Sequence, residues 1–194
     1  MRVVRCFAFL DLCGFTAFTE RHGDAAAVAE LSRLRAILRA QAEEGGVRVT
    51  KWLGDGAMLS GVDPASVVTC VRATFSALDH ATALPLRAGV AHGPTIMFEG
   101  DDYIGAPVNL ASRLCDAADP GRILLTRETA EAANVLDDIE PVDDGSLPLS
   151  LVTGGVVQLR GRMAAAPVEG DDVPPALGRT VDELLRRASD GSSE

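Results

Sequence analysis

Several kinds of residue and segment are scarce in this chain. Of 18 basic residues, 17 are arginine and Lys51 is the sole lysine. There are 3 histidines and 4 cysteines, and no two cysteines form a CxxC pair. That spacing speaks against a structural zinc site and suits reduced thiols. No apolar run approaches the roughly 20 residues needed to span a bilayer. The opening MRVVRCFAFLDL is too short, and too soon interrupted by charge, for a signal peptide. The chain therefore reads as soluble and cytoplasmic. With a net charge of −10, its overall field is unsuited to nucleic acid or an anionic membrane surface, although one cleft could still be basic. No internal repeat and no dividing linker is evident.

What is present fits one folded domain of 194 residues, 47% of them hydrophobic, with the high Ala, Gly, Asp and Arg content of GC-rich coding. Residues 2–10 are rich in β-branched and aromatic types and predict a buried strand. Residues 24–44 carry helical apolar spacing, with Asp24 as N-cap and Gly45-Gly46 as the stop. Residues 47–53 and 57–62 predict two strands joined at Gly54-Asp55-Gly56, since Asp-Gly favours a hairpin with positive φ at both central residues. A helix over 64–82 follows Asp63-Pro64. Strands are expected over 86–91 and 94–99 around His92-Gly93, then a helix over 106–118. A strand over 122–126, a short helix over 127–134, an irregular acidic stretch over 137–148 and a strand pair, 151–160 with 163–168, complete the expected domain, 1–169. Residues 170–194 read as an acidic, frayed tail in which Thr180–Ala188 could form a short helix. The order strand, helix, hairpin, helix, hairpin, helix, strand suggests an α+β fold with an antiparallel or mixed sheet and helices on one face.

Chemistry concentrates in a few places. Asp11 ends the first strand and Asp55 sits at a hairpin tip. If those strands are neighbours, their carboxylates converge, and hard oxygen donors suit Mg²⁺ or Mn²⁺. Taken singly, each is an ordinary turn aspartate. Gly14 lets backbone come close to a ligand, and the amides of residues 12–16, Phe15 and Thr16 among them, could cradle phosphate before a helix start. Asn109 and Arg113 lie four apart on a predicted helix and share a face. An amide beside a guanidinium can orient a ribose and neutralise phosphoryl charge; a solvated helix face is the plainer explanation of that pair alone.

Together these segments resemble the class III nucleotidyl cyclases, of a bacterial, actinobacterial type. Phe9–Thr16 is similar to their first metal motif, and Lys51–Gly56 to their Lys-x-x-Gly-Asp hairpin. Arg87–Gly93 resembles the following core strand. Asp102–Gly105 through Val108–Leu114 resembles the base-selecting and catalytic segment, and Leu159–Arg162 a closing Lys-Gly-Lys-like strand with arginine for lysine. The likeness runs from about residue 5 to 168.

The resemblance implies a ferredoxin-like βαββαβ core and an adenylate cyclase that turns ATP into 3′,5′-cyclic AMP and pyrophosphate. Asp11 and Asp55 would bind two Mg²⁺ or Mn²⁺ ions. Asn109 would orient the ribose, and Arg113 would stabilise charge on the α-phosphate. Arg87 and Arg162 would hold the terminal phosphates, with Arg160 a close competitor of Arg162. Lys51 and Asp102, a donor and an acceptor, fit N1 and N6 of adenine; Asp101 replaces Asp102 if the loop shifts. A single lysine in an arginine-rich chain supports a need for a compact ammonium at position 51. A chain holding both sets of residues implies a head-to-tail homodimer with composite sites. A weak or non-catalytic nucleotide-binding relative and a guanylate cyclase are the other readings. A diguanylate cyclase lacks support, because no Gly-Gly-Asp/Glu-Glu-Phe segment is present.

Overall fold

A computed structural model describes residues 1–78, 81–98, 100, 102–142 and 155–159. The elements are β1 (Arg2–Leu12), α1 (Phe15–His22), α2 (Asp24–Glu44), β2 (Arg48–Leu53), β3 (Gly56–Gly61), α3 (Pro64–Leu78), β4 (Leu86–Phe98), β5 (Asp102–Ile104), α4 (Ala106–Ala117), β6 (Ile123–Thr126), α5 (Arg127–Ala132), β7 (Ile139–Pro141) and β8 (Val156–Leu159). One mixed sheet runs β2-β3-β1-β4-β6-β8-β7, with β5 paired to β4. Its first four strands are antiparallel neighbours and form the expected ferredoxin-like core. β6 then adds parallel to β4.

β1 lies between β3 and β4, so both of its edges are paired, and side chains pack on both of its faces. Cys6, Ala8, Leu10 and Leu12 point to one side and are at most 2% exposed. They join Leu34 and Leu38 of α2, Val67, Val71 and Phe75 of α3, and Ala130 of α5 in the main core. Residues of alternate parity must face the other way. There Phe7 meets Met58, Ala91 and Ala111 of α4, with the Tyr103 ring edge-on to Phe7 at 5.1 Å. The helices are therefore not all on one face, as the element order suggested. α4 crosses the opposite side directly over Gly89, where an added Cβ would overlap the Ala111 carbonyl oxygen and the Cys115 amide.

Two expected turns differ. The stretch around His92-Gly93 is not a hairpin: β4 runs unbroken through it for 13 residues, because Arg5 and Cys6 of β1 pair with Gly93 and His92. The actual reversal leads into β5, where Phe98 pairs with Asp102. At the β2–β3 hairpin, Leu53 pairs with Gly56, so the central residues are Gly54 and Asp55. Among them only Gly54 has positive φ, 65°, the geometry of a glycine-first two-residue turn. Helix α1 was not anticipated. It is a short helix of 8 residues that buries Phe18. For α2 the expected span holds, but Gly23 takes the N-cap and Asp24 the first turn. β7 lies inside the stretch expected to be irregular, and β8 pairs with β6 and β7. The expected strand over 163–168, Arg160, Arg162, Asp101 and the tail helix lie outside the described residues.

Candidate nucleotide site on the α4 side of the sheet

Strand register assembles the site. Leu53, Gly56, Asp11 and Arg87 form one row across β2, β3, β1 and β4. Lys51, Met58, Phe9 and Gly89 form the next row. Cross-strand partners share a face, so both rows look toward the α4 side. The segment that would cradle phosphate, the hairpin tip and the start of β4 are thus brought to one corner.

Asp55 is on the turn entering β3, and its carbonyl accepts a 3.4 Å bond from the Leu12 amide. That bond ties the hairpin tip to the end of β1. Gly56 has no side chain, and a Cβ there would stand 3.2 Å from Asp11 Oδ1. The carboxyl of Asp55 titrates above its ordinary range, first because burial disfavours its charge and further because Asp11 is close; its own backbone hydrogen bond and Arg87 act the other way. Arg87 donates from Nε (3.0 Å) and Nη2 (2.7 Å) to Asp11 Oδ2, and from Nη1 (3.0 Å) to the Asp116 carbonyl. Burial works against the guanidinium charge, but the bonds and charge of Asp11 outweigh it and raise the Arg87 pKa. Cys13 borders this group with a thiol pushed up to about 11, mainly by burial, with Arg87 opposing and Asp11 and Asp55 adding to the shift.

The donor set suits a hard divalent cation. It offers two carboxylates, Asp11 and Asp55, near each other at the end of β1 and the β2–β3 turn. Among the described residues, no group of three or more His, Cys, Asp or Glu side chains converges. A cation held by Asp11 and Asp55 would need phosphate, backbone carbonyls or water to complete a six-oxygen shell.

The phosphate cradle is narrower than the sequence suggests. The Leu12 and Cys13 amides are engaged, the latter by the Pro85 carbonyl at 2.8 Å. Gly14 takes φ 77° as the N-cap of α1, and no side chain caps that helix. Phe15 and Thr16 open the first turn of α1, where backbone amides have no intrahelical acceptor and the helix end is positive. Thr16 is exposed, and Phe15 is half-buried against the main core.

Lys51 and Asp102 are 51 positions apart in sequence, yet Lys51 Nζ forms an ion pair with Asp102 Oδ1. Both side chains are about half exposed, at 47% and 53%. Asn109 and Arg113 are exposed on one face of α4, whose opposite side buries Ala111, Leu114 and Cys115. The position of Arg87 beside Asp11 had no signal in the sequence, because it depends on the register of two distant strands. Neither did the Trp52 packing, in which the Arg35 and Arg39 guanidinium carbons sit 5.1 Å and 5.2 Å from the ring centroid.

The fold is thus a ferredoxin-like sheet with Asp11, Arg87 and the Asp55 turn at one corner and the Lys51–Asp102 ion pair on an exposed edge. The family model described as adenylate and guanylate cyclase catalytic domain matches residues 4–163, and the chain belongs to that family. An uncharacterised Mycobacterium tuberculosis protein is 36% identical over 145 residues, 73% of this chain and 36% of its own length. A pH-sensitive adenylate cyclase of the same species is 36% identical over 129 residues, 64% of this chain and 31% of its own length. The chain thus spans about a third of the curated relatives it matches. Among solved structures, the adenylyl cyclase CyaB of P. aeruginosa superposes with a TM-score of 0.69 at 24% identity, covering 85% of this chain and 97% of that one. The guanylate cyclase domain of Catenaria anguillulae in complex with GTP gives 0.71 at 19%, covering 84% and 99%. These two likenesses concern the fold.

No helix among the described residues is long and apolar enough to cross a membrane.

Proposed function

We propose that this cyclase domain is an adenylate cyclase, converting ATP to 3′,5′-cyclic AMP and pyrophosphate in a head-to-tail homodimer. The observation that carries the choice of base is the pairing of Lys51 with Asp102. An ammonium donates and a carboxylate accepts, which matches the N1 acceptor and N6 donor of adenine and mismatches guanine. The relatives named adenylate cyclase, in Mycobacterium tuberculosis and Streptomyces coelicolor, support the same choice.

In this reading Asp11 and Asp55 hold two divalent cations, Mg²⁺ or Mn²⁺. When bound, such ions acidify the ribose 3′-hydroxyl and screen the triphosphate. The 3′-oxygen attacks the α-phosphorus as the bond to pyrophosphate breaks. Asn109 hydrogen-bonds the ribose and orients that oxygen. Arg113, four residues on along the same exposed face, neutralises charge on the α-phosphate. Arg87 and Arg162 receive the terminal phosphates, and the α1 amides at Phe15 and Thr16 add donors. One copy supplies Asp11 and Asp55, the other Lys51, Asp102, Asn109 and Arg113, so each site needs two chains. Residues 1–169 form the cyclase domain and 170–194 an acidic tail.

The test is turnover of ATP and GTP with Mn²⁺ across a range of protein concentrations. Cyclic AMP formation that rises more steeply than protein concentration is expected. Tight ATP binding without product would favour a non-catalytic nucleotide-binding role. Mixing Asp11→Ala and Arg113→Ala chains should restore one working site per heterodimer; no recovery would exclude composite sites. Lys51→Glu with Asp102→Cys should move preference toward GTP, and an unchanged ATP preference would remove the assignment of base selection.

A further inference from the structure

We propose that Arg87 is a counter-ion latch on the cation site: without nucleotide its guanidinium neutralises Asp11 and weakens divalent-cation binding, and it is released when a triphosphate offers competing anions. This rests on reading Asp11 and Asp55 as the cation ligands.

Three nitrogens of Arg87 are all engaged. Nε and Nη2 converge on Asp11 Oδ2 at 3.0 Å and 2.7 Å, and Nη1 reaches the Asp116 carbonyl at 3.0 Å. That carbonyl lies at the C-terminal end of α4, where the helix dipole favours a cation. The latch is built into the sheet, because Asp11 and Arg87 are direct partners in the β1–β4 register. Asp11 and Arg87 side chains are 27% and 28% exposed, so an incoming ligand can reach the pair. The field of Arg87 also bears on Asp55, favouring its charged form.

Charge balance explains why release requires an anion. Two carboxylates and one guanidinium leave one net negative charge at this corner. A divalent cation added while Arg87 stays in place makes the corner positive, and a second makes it more so. A triphosphate reverses that sign and gives the guanidinium an alternative bidentate partner. Cation and nucleotide binding are then coupled, each strengthening the other. A merely structural Asp11–Arg87 pair makes the opposite prediction, since removing Arg87 would only disorder the ligand.

The experiment titrates Mn²⁺ into the nucleotide-free 194-residue protein and reads free Mn²⁺ by electron paramagnetic resonance. Arg87→Gln should bind Mn²⁺ about ten-fold more tightly than the parent, the scale of a charge-assisted pair discounted for solvent. Arg87→Lys keeps the charge and loses the fork, and should fall between the two. Asp11→Asn should abolish the gain. The Mn²⁺-induced rise in melting temperature should be larger in Arg87→Gln than in the parent. Unchanged or weaker Mn²⁺ affinity in Arg87→Gln overturns the latch. If Arg87→Gln does not fold, Arg87→Lys decides, and affinity equal to or weaker than the parent's overturns it. No Mn²⁺ binding by any variant overturns both the latch and the cation site. Absence of ATP turnover in the parent protein, with these Mn²⁺ results intact, sinks the proposed activity alone.

Discussion

The two faces of β1 carry different work on the same residues' alternation. On the side of α2 and α3, Cys6, Ala8, Leu10 and Leu12 are uniformly apolar and sealed. On the side of α4 the same strand passes from Phe7, fully buried, through half-buried Phe9 to Asp11, which is bound to Arg87. One face is spent on packing, which is non-directional and tolerates any apolar residue of the right size. The other ends beside the C-terminal end of α4, where the Asp11 and Arg87 side chains remain partly exposed and can meet solvent and ligand. Stability and chemistry are thus set by adjacent residues that point apart.

That contrast can be broken in graded ways. The largest effect is expected from Asp55→Ala, which leaves the packed face untouched. Mn²⁺-dependent cyclic AMP formation should fall by at least about a hundred-fold, the scale of losing a ligand that supports charge in the transition state, while the melting temperature stays near the parent's. Gly89→Val attacks the boundary between the faces. Its side chain would collide with α4 backbone, and overpacking of this kind should cost about 3 kcal/mol or prevent folding, read by urea denaturation. Leu38→Ala on the packed side should cost about 2–5 kcal/mol yet leave turnover per folded molecule unchanged when assayed well below its melting point. A selective loss of turnover there would show that the faces are not independent.

The smallest effect concerns the thiols. Burial pushes Cys6 and Cys115 up to about 12 and Cys70 up to about 11 from the usual 9.0. A raised thiol pKa means the folded state prefers the protonated form. Its stabilising contribution is complete below pH 9.0 and is lost as pH rises through 11 and 12. The melting temperature should therefore decline above about pH 9, and Cys6→Ala with Cys70→Ser should flatten that decline. Alkylation of the native protein at pH 8, followed by mass spectrometry, should leave these three cysteines largely unmodified.

Periodicity made α2 legible to the residue, and the apolar run of residues 2–10 made β1 legible as a buried strand. β4 was not legible as one strand, because His92-Gly93 has the local composition of a turn and only pairing with Arg5 and Cys6 overrides it. Helix α1 was missed because its 8 residues are too few to show a clear apolar period. Of the candidate site, residue types and spacing singled out the Asp11/Asp55 and Asn109/Arg113 pairs only weakly, and their proposed roles come from the resemblance to the cyclases. The narrowing of the phosphate cradle was hidden, since it depends on the Leu12 and Cys13 amides being taken by Asp55 and Pro85.

By itself, the sequence determined which side chains are available and how each helix and strand divides them between faces, since helical and strand periods act over a few neighbouring residues. It placed a lone lysine at 51 and an aspartate at 102, and an aspartate at 11 with an arginine at 87. Only the tertiary structure decided that these become pairs. Lys51 reaches Asp102 across the fold, and Asp11 faces Arg87 because β1 lies beside β4 in one register rather than another. Register is a collective property of the sheet, and a slip of one residue would have turned Asp11 into the core.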